Sequence, residues 1–249
     1  MITILLPSSD YDPTESGVIW QALVDNDFEV QFATPNGEKS YADKRLTDIG
    51  FSLLSPLLMP QKPAMKCYNA MIACKAFQQP ISYQQVDIDN AQGIHVPGGH
   101  AQGMKVLIES PTAQKLIVDA FKKDLPVATV CHGVLLLARS IDSDTGKSVL
   151  YGKQTTGLIK PMELAAWGMT WLWLKNYYRT YDISVETEVK RVLESPKDFK
   201  QGSILPIKDS AKKLNGFVIQ DGHYLSARWP GDCYTLAQRF VDVLNNQIE

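Results

Sequence analysis

The stretch Pro126-Val127-Ala128-Thr129-Val130-Cys131-His132-Gly133-Val134-Leu135-Leu136-Leu137-Ala138 joins a strand-like run to a helix-like run, with a cysteine at the junction. Residues 127–130 are β-branched or small, the composition of a strand that is buried on both faces, and the leucines after Val134 are typical of a helix. Gly133 leaves the backbone room to turn sharply between them. The pattern therefore predicts a strand, a tight turn that carries Cys131, and a helix.

Cys131 is the candidate nucleophile of this turn. The N-terminal end of the following helix presents unpaired backbone amides, which we expect to stabilise a thiolate and to lower the pKa of the thiol. The alternative interpretation is a cysteine that only packs in the core, because free cysteines are among the most buried residues. Other residues of the site have to decide between the two.

Length, composition and charge describe an ordinary globular chain. The sequence has 249 residues, 45% of them hydrophobic and 21% charged, which suits one large α/β domain with insertions. The formal net charge of −2 gives no reason to expect nucleic acid or an acidic membrane as a partner. No apolar run approaches the roughly 20 residues of a membrane-spanning helix.

The cysteines and the N-terminal residues indicate a reducing compartment. The sequence has four cysteines, Cys67, Cys74, Cys131 and Cys233. They lack the paired close spacing of a zinc ribbon, so we expect no metal site. Residues 1–7 lack a basic segment, and their apolar run is too short for a signal peptide. The sequence therefore predicts a cytoplasmic protein.

Strand-like and helix-like segments alternate along the chain. Ile2 to Leu6 predicts a buried strand, Val18 to Leu23 a helix that Asp12 and Pro13 can begin, and Phe28 to Ala33 a second strand. A βαβ unit of this length requires parallel strands, and the alternation resumes at Gly93. We therefore predict an α/β fold with a doubly wound, mostly parallel sheet and helices on both faces.

Two segments depart from this alternation and are predicted to be helical or aromatic insertions in a single domain spanning residues 1–249. Residues 35–90 contain several prolines, and Ala64 to Phe77 is the best helix candidate among them. Residues 161–213 contain an aromatic block from Trp167 to Tyr181, which we interpret as an amphipathic helix that buries its rings. Lining a pocket is the alternative role for these rings.

Further candidate site residues follow the ends of predicted strands. Gly98, Gly99 and His100 form a loop whose bare amides could bind an oxyanion or substrate. Glu15 begins the first helix, at the same edge of a doubly wound sheet as Cys131. A protonated Glu15 beside the thiolate could move protons, although an acid near a helix N-terminus also stabilises the helix dipole.

These motifs together resemble the ThiJ/PfpI superfamily, whose fold is class I glutamine amidotransferase-like and flavodoxin-like. The resemblance covers the first β/α/β unit with its glutamate, the Pro97–His100 loop, the Cys131-His132-Gly133 turn and residues 226–232. It is greatest with the glyoxalase III and chaperone branch, whose members use a cysteine, the following histidine and an acid from a later Thr-Gly segment. Residues 155–163 resemble that segment, so the resemblance implies Cys131, His132, Glu15 and Glu163 as catalytic residues.

The sequence also departs from the amidotransferases of this fold. Those enzymes pair their cysteine with a His-x-Glu arrangement near the C-terminus, and none of the four histidines here lies two positions before a glutamate. Glutamine-dependent ammonia transfer is therefore not expected.

Three functions remain open at this point. Cys131 and Glu15 could convert 2-oxoaldehydes such as methylglyoxal to hydroxy acids, without metal or cofactor. The same cysteine could instead hydrolyse amides or peptides, with His132 as base and Glu163 as its orienting acid. In the third, Cys131 is an oxidation sensor, or the protein is a stress-response holdase chaperone. The resemblance further implies a small-molecule substrate and a homodimer.

Overall fold

The computed structural model describes residues 1–247, which form a central sheet with helices around it. The strands are β1 (Ile2–Leu5), β2 (Ser9–Tyr11), β3 (Val30–Thr34), β4 (Tyr41–Ala42), β5 (Ile81–Ser82), β6 (Gly93–Val96), β7 (Val127–Val130), β8 (Ile141–Asp142), β9 (Lys147–Ser148), β10 (Val218–Asp221) and β11 (Tyr224–Ala227). The α-helices are α1 (Pro13–Asp25), α2 (Ser55–Leu58), α3 (Lys62–Ala73), α4 (Lys75–Gln78), α5 (Lys105–Ile108), α6 (Pro111–Lys122), α7 (Val134–Arg139), α8 (Lys160–Leu174), α9 (Val185–Val192) and α10 (Cys233–Asn246). Among these residues, no helix is both long and apolar enough to cross a membrane.

Seven strands form the central sheet in the order β10-β11-β7-β6-β1-β3-β5. Neighbouring strands are parallel except in the hairpin of β10 and β11. Every residue of β1, β6, β7 and β11 is buried, as expected for strands covered on both faces. Helix α1 packs against α3 and α10, and α6 packs against α7. The predicted fold class is therefore confirmed.

The first β/α/β unit forms as its sequence predicts, and it positions Glu15. Strand β1 pairs with β3 in parallel, with Ile2 opposite Val30. The side chain of Asp12 caps α1, because its Oδ1 accepts hydrogen bonds from the amides of Thr14 at 2.7 Å and Glu15 at 3.2 Å. Glu15 thus lies in the first turn of α1, at the carboxyl end of β1.

Within the insertion at residues 35–90, the segment predicted as one helix forms two. The segment from Ala64 to Phe77 divides at Cys74, whose extended backbone, with ψ of 152°, ends α3. The Sγ atom of Cys74 accepts a hydrogen bond from the amide of Phe77 at 3.4 Å and so begins α4. The prediction missed this break because a cysteine is not a recognised helix-capping residue.

The aromatic block buries its rings only in part, because Tyr178 is buried whereas Trp171 and Trp173 are exposed. Trp171 and Trp173 are 45% and 46% exposed on α8, and Leu172 between them is 74% exposed. Residues one or two positions apart project from different sides of a helix, so no single face of α8 can bury all three. Beyond the helix, Tyr177 and Tyr178 donate hydrogen bonds to Asp43 at 2.8 and 2.6 Å, and these bonds join the two insertions.

Candidate active site

Cys131 lies on a strained turn directly after β7. Its φ of +58° is in the left-handed region, which non-glycine residues rarely adopt. Gly133 allows the close turn, since a Cβ at this position would lie 2.6 Å from the carbonyl oxygen of Val96 and 2.7 Å from Oγ1 of Thr129. The arrangement is a nucleophile elbow that holds a thiol at the carboxyl edge of the sheet.

Glu15 and Cys131 both pack closely against Gly98. The Oε2 atom of Glu15 accepts a hydrogen bond from the amide of Gly98 at 2.7 Å. A Cβ added to Gly98 would lie 2.8 Å from Oε2 of Glu15 and 2.8 Å from Cβ of Cys131. Within residues 1–247, the buried Oε1 of Glu15 has no hydrogen-bond partner. One carboxyl oxygen is therefore fixed, while the other remains available for proton transfer.

Burial determines the protonation of this pair. Desolvation raises the pKa of Glu15 well above its usual value, and the charge of Asp12 adds to this effect. Burial therefore stabilises the protonated form of Glu15 over its carboxylate. Desolvation also raises the pKa of Cys131, and the charges of Glu15 and Asp12 act in the same direction. The predicted lowering of the thiol pKa is therefore wrong, because burial outweighs the helix end and the His132 amide.

His132 contacts the thiol even though it is the next residue. Its Nδ1 lies 3.7 Å from Sγ of Cys131. Desolvation lowers the pKa of His132 well below its usual value, and desolvation together with Arg179 lowers the pKa of His100 to about 4. The two rings, 4.9 Å apart between centroids, are therefore neutral imidazoles. A neutral His132 can accept a proton from the thiol.

Glu163 lies close to both histidines but is held by other groups. Its Oε2 accepts a hydrogen bond from the amide of Val185 at 2.9 Å, and its Oε1 lies 3.6 Å from Nη1 of Arg179. Burial raises the pKa of Glu163 to about 7. The Nε2 atom of His132 has no hydrogen-bond partner within the described part of the chain. The structure thus brings Glu163 to the site without joining it to His132.

The cluster of His100, His132 and Glu163 could hold a metal ion. The nearest ligand atoms of His100, His132 and Glu163 all lie within 4.8 Å of one another. Arg179 already contacts Glu163, however, and its positive charge opposes a second cation at the same carboxylate. The arrangement therefore suits proton transfer better than metal binding.

The predicted loop of Gly98, Gly99 and His100 reaches the site, but its members differ in their contacts. The amide of Gly98 already donates to Glu15, so it is not free to bind an oxyanion as predicted. Gly99 and His100 line the same cavity as Cys131. Oxyanion binding by the loop therefore rests on Gly99 and His100.

His95 is a residue of the site that the sequence analysis did not include. The fully buried ring bridges two elements, with Nε2 2.8 Å from the carbonyl oxygen of Glu15 and Nδ1 3.2 Å from that of Ala128. Burial lowers the pKa of His95 to about 4, so the ring is neutral. A polar residue inside the otherwise apolar strand β6 was the signal that could have identified it.

Gly98→Ala is expected to lower the free energy of unfolding by about 1–3 kcal/mol, because the new methyl group has no room between Glu15 and Cys131. Urea unfolding measures this change. The matched control is Gly168→Ala in α8, where an added Cβ meets nothing within 4 Å. The control should be neutral or stabilising by up to about 1 kcal/mol. Equal stabilities for the two variants would contradict the close packing at Gly98.

Comparison with known proteins gives relatives across most of the chain. A deglycase of Thermococcus kodakarensis is 23% identical over 164 residues, which cover 66% of this chain and 69% of that protein. An uncharacterised protein of Schizosaccharomyces pombe is 30% identical over 137 residues, which cover 54% of this chain and only about half, 49%, of that protein.

Solved structures show the same fold at low sequence identity. Glyoxalase III from Candida albicans is 15% identical with a TM-score of 0.68, and the comparison covers 98% of this chain and 97% of that one. The Rapid Encystment Protein of 24 kDa from Francisella tularensis is 15% identical with a TM-score of 0.69, covering 98% of this chain and 99% of that one. A family model described as ThiJ/PfpI family-like matches residues 6–202. Since this match spans well over half of the sequence and agrees with the motifs around Cys131, the chain belongs to the ThiJ/PfpI family.

Proposed function

We propose that the protein is a cysteine-dependent enzyme that converts 2-oxoaldehydes to 2-hydroxy acids, as in the conversion of methylglyoxal to lactate. The observation that carries the proposal is the buried pair of Cys131 and Glu15. Cys131 lies on a strained turn, burial stabilises the protonated form of Glu15, and one carboxyl oxygen of Glu15 has no hydrogen-bond partner in the described residues. The names of two relatives, a glyoxalase III and a deglycase, support an enzymatic role.

The first step is addition of the thiol to the aldehyde. The sulfur of Cys131 forms a bond with the aldehyde carbon while its proton passes to Nδ1 of the neutral His132. The amides of Gly99 and His132 bind the aldehyde oxygen as it gains charge, and Glu15 then gives this oxygen its proton. The result is a hemithioacetal, a carboxylate at Glu15 and an imidazolium at His132.

Proton transfer and hydrolysis complete the cycle. The Glu15 carboxylate removes the hydrogen from the former aldehyde carbon, and His132 protonates the ketone oxygen to give an enediol. Glu15 then gives its proton to the former ketone carbon, while His132 takes the proton from the hydroxyl group on the former aldehyde carbon. These two transfers leave a thioester. Water then attacks the thioester, its proton passes to Glu15, and His132 protonates the departing sulfur. The hydroxy acid leaves, and both groups regain their starting protonation without any oxidant.

The amide or peptide hydrolase has weaker support in the same geometry. That function needs an acid to orient His132, as in other Cys/His hydrolases. Glu163 is instead hydrogen-bonded to Val185 and faces Arg179. The oxidation sensor has weaker support too, because burial raises the pKa of Cys131 and sensor cysteines are accessible thiolates.

Incubation of the purified protein with methylglyoxal is expected to yield lactate in amounts equal to the aldehyde consumed, with no added metal or cofactor. A panel of small amides and peptides should remain intact under the same conditions. The measurement is enzymatic or chromatographic quantification of lactate. Cleavage of the amides without lactate formation would favour the hydrolase and contradict the proposed function.

A further inference from the structure

We propose that the preferred substrate carries an extended, uncharged apolar substituent on its 2-oxoaldehyde group, an inference that rests on the proposed function. The cavity that reaches Cys131, Glu15 and His100 has a volume of about 550 Å³. Pockets of this volume bind drug-sized ligands. Methylglyoxal would therefore fill only a small part of the cavity. The remaining volume has to be occupied by another part of the substrate or by water.

The walls of this cavity are mainly apolar. Helix α8 contributes Met162, Ala165 and Met169, and the segment before α3 contributes Leu58 and Met59. Water in such surroundings finds few hydrogen-bond partners, so its displacement by an apolar group is favourable. The walls therefore favour a hydrocarbon substituent over a sugar or a peptide backbone.

The charges near the cavity oppose an anionic substituent. Asp12 and Asp209 line it, and each has a pKa raised by burial to about 6, so both are largely ionised at neutral pH. In the described part of the chain, Lys208 is the one lysine or arginine of the lining, and it is an exposed residue whose Nζ donates to the carbonyl oxygen of Leu57 at 3.4 Å. A carboxylate or phosphate on the substrate would thus meet two buried acids and one exposed cation.

The apolar lining continues to the protein surface. Leu57, Met169 and Ile204 all line the cavity and are 54%, 37% and 61% exposed. Large apolar side chains that remain exposed around a cleft are typical of a binding region. A linear substituent can therefore extend from the reacting aldehyde along the cavity toward solvent.

The test is a series of linear 2-oxoaldehydes from methylglyoxal to hexylglyoxal. We expect kcat/KM of the wild-type protein to rise by about threefold to fourfold for each added methylene group, the gain expected for full burial. A chain of equal length that ends in a carboxylate should lose this gain.

Two variants of α8 locate the effect. Ala165→Trp introduces a large side chain into the cavity at an exposed position, so it should flatten the dependence of kcat/KM on chain length. Leu172→Trp is the matched control, because Leu172 is 74% exposed and lies outside the cavity lining. Rising kcat/KM in the wild type and in Leu172→Trp, with a flat series in Ala165→Trp, supports the inference.

The outcomes separate this inference from the proposed function. If methylglyoxal is converted but kcat/KM stays flat or falls along the series, the apolar substituent is wrong and the proposed function stands. If no member of the series is converted, the proposed function fails, and the inference fails with it.

Discussion

Cys131→Ala is expected to reduce lactate formation from methylglyoxal by at least about 10⁴-fold, to the rate of the reaction without enzyme. The reason is that, in the proposed reaction, the sulfur forms the bond that holds the substrate through every later step, and the elbow formed by residues 131–133 carries no second thiol. Cys131 has a left-handed backbone that alanine, which also carries a Cβ, adopts at a similar cost. The variant should therefore keep the fold, with a thermal midpoint within a few degrees of the wild type.

Cys67→Ala is the matched control for the loss of a thiol. Cys67 is a half-buried free cysteine of α3 and does not line the cavity around Cys131. We expect this variant to retain wild-type kcat/KM. Unchanged turnover in Cys131→Ala, in a protein shown to be folded by circular dichroism, would overturn both the proposed reaction and the hydrolase alternative.

The sheet could be predicted because its signals are local. The apolar run at Ile2 to Leu5, the capped helix that begins at Pro13 and the strand at residues 30–34 each have a pattern that depends only on nearby residues. The hairpin of β10 and β11, which turns through Gly222 with φ of +62°, is local as well. The break at Cys74 was missed because a side-chain sulfur, which is not a recognised cap, begins α4.

The sequence predicted which residues form the candidate site better than it predicted the contacts among them. Parallel strands bring their carboxyl ends to one edge, so Glu15 and Cys131 could be placed near each other before any distance was known. The two contacts of Gly98 could not be foreseen. The hydrogen bond from its amide to Glu15 and its close packing on Cys131 both depend on how α1 is placed relative to β7. The bridge from His95 to the Glu15 carbonyl depends on tertiary packing in the same way.

The protonation of the site is the largest difference between sequence and structure. A helix N-terminus favours a thiolate only to the extent that the thiol keeps some contact with water or with charge of the opposite sign. Cys131 is only 5% exposed, and its titratable neighbours Glu15 and Asp12 are acids. The resting site is therefore best described as a thiol beside an acid whose protonated form burial stabilises. In the proposed reaction, thiolate character develops only as substrate binds and His132 takes the proton.

Glu15→Gln tests the proton-transfer role directly and is expected to lower kcat/KM for methylglyoxal by about 10²- to 10⁴-fold, the usual contribution of a general acid or base. Glutamine has nearly the same shape, and its carbonyl oxygen can still accept the hydrogen bond from Gly98, so the site should stay packed. The amide cannot exchange a proton between the two substrate carbons.

The reactivity of Cys131 in this variant separates a proton carrier from a residue that only maintains structure. The charge of Glu15 contributes to raising the pKa of Cys131, so its removal should leave alkylation by iodoacetamide at least as fast as in the wild type, measured from pH 7 to 10. Glu15→Asp keeps the carboxyl group but shortens its reach, and it should recover part of the lost turnover. Loss of turnover with preserved alkylation is the result that a proton carrier requires. Parallel loss of turnover, alkylation and thermal stability would show instead that Glu15 serves only to hold α1 and Gly98 together.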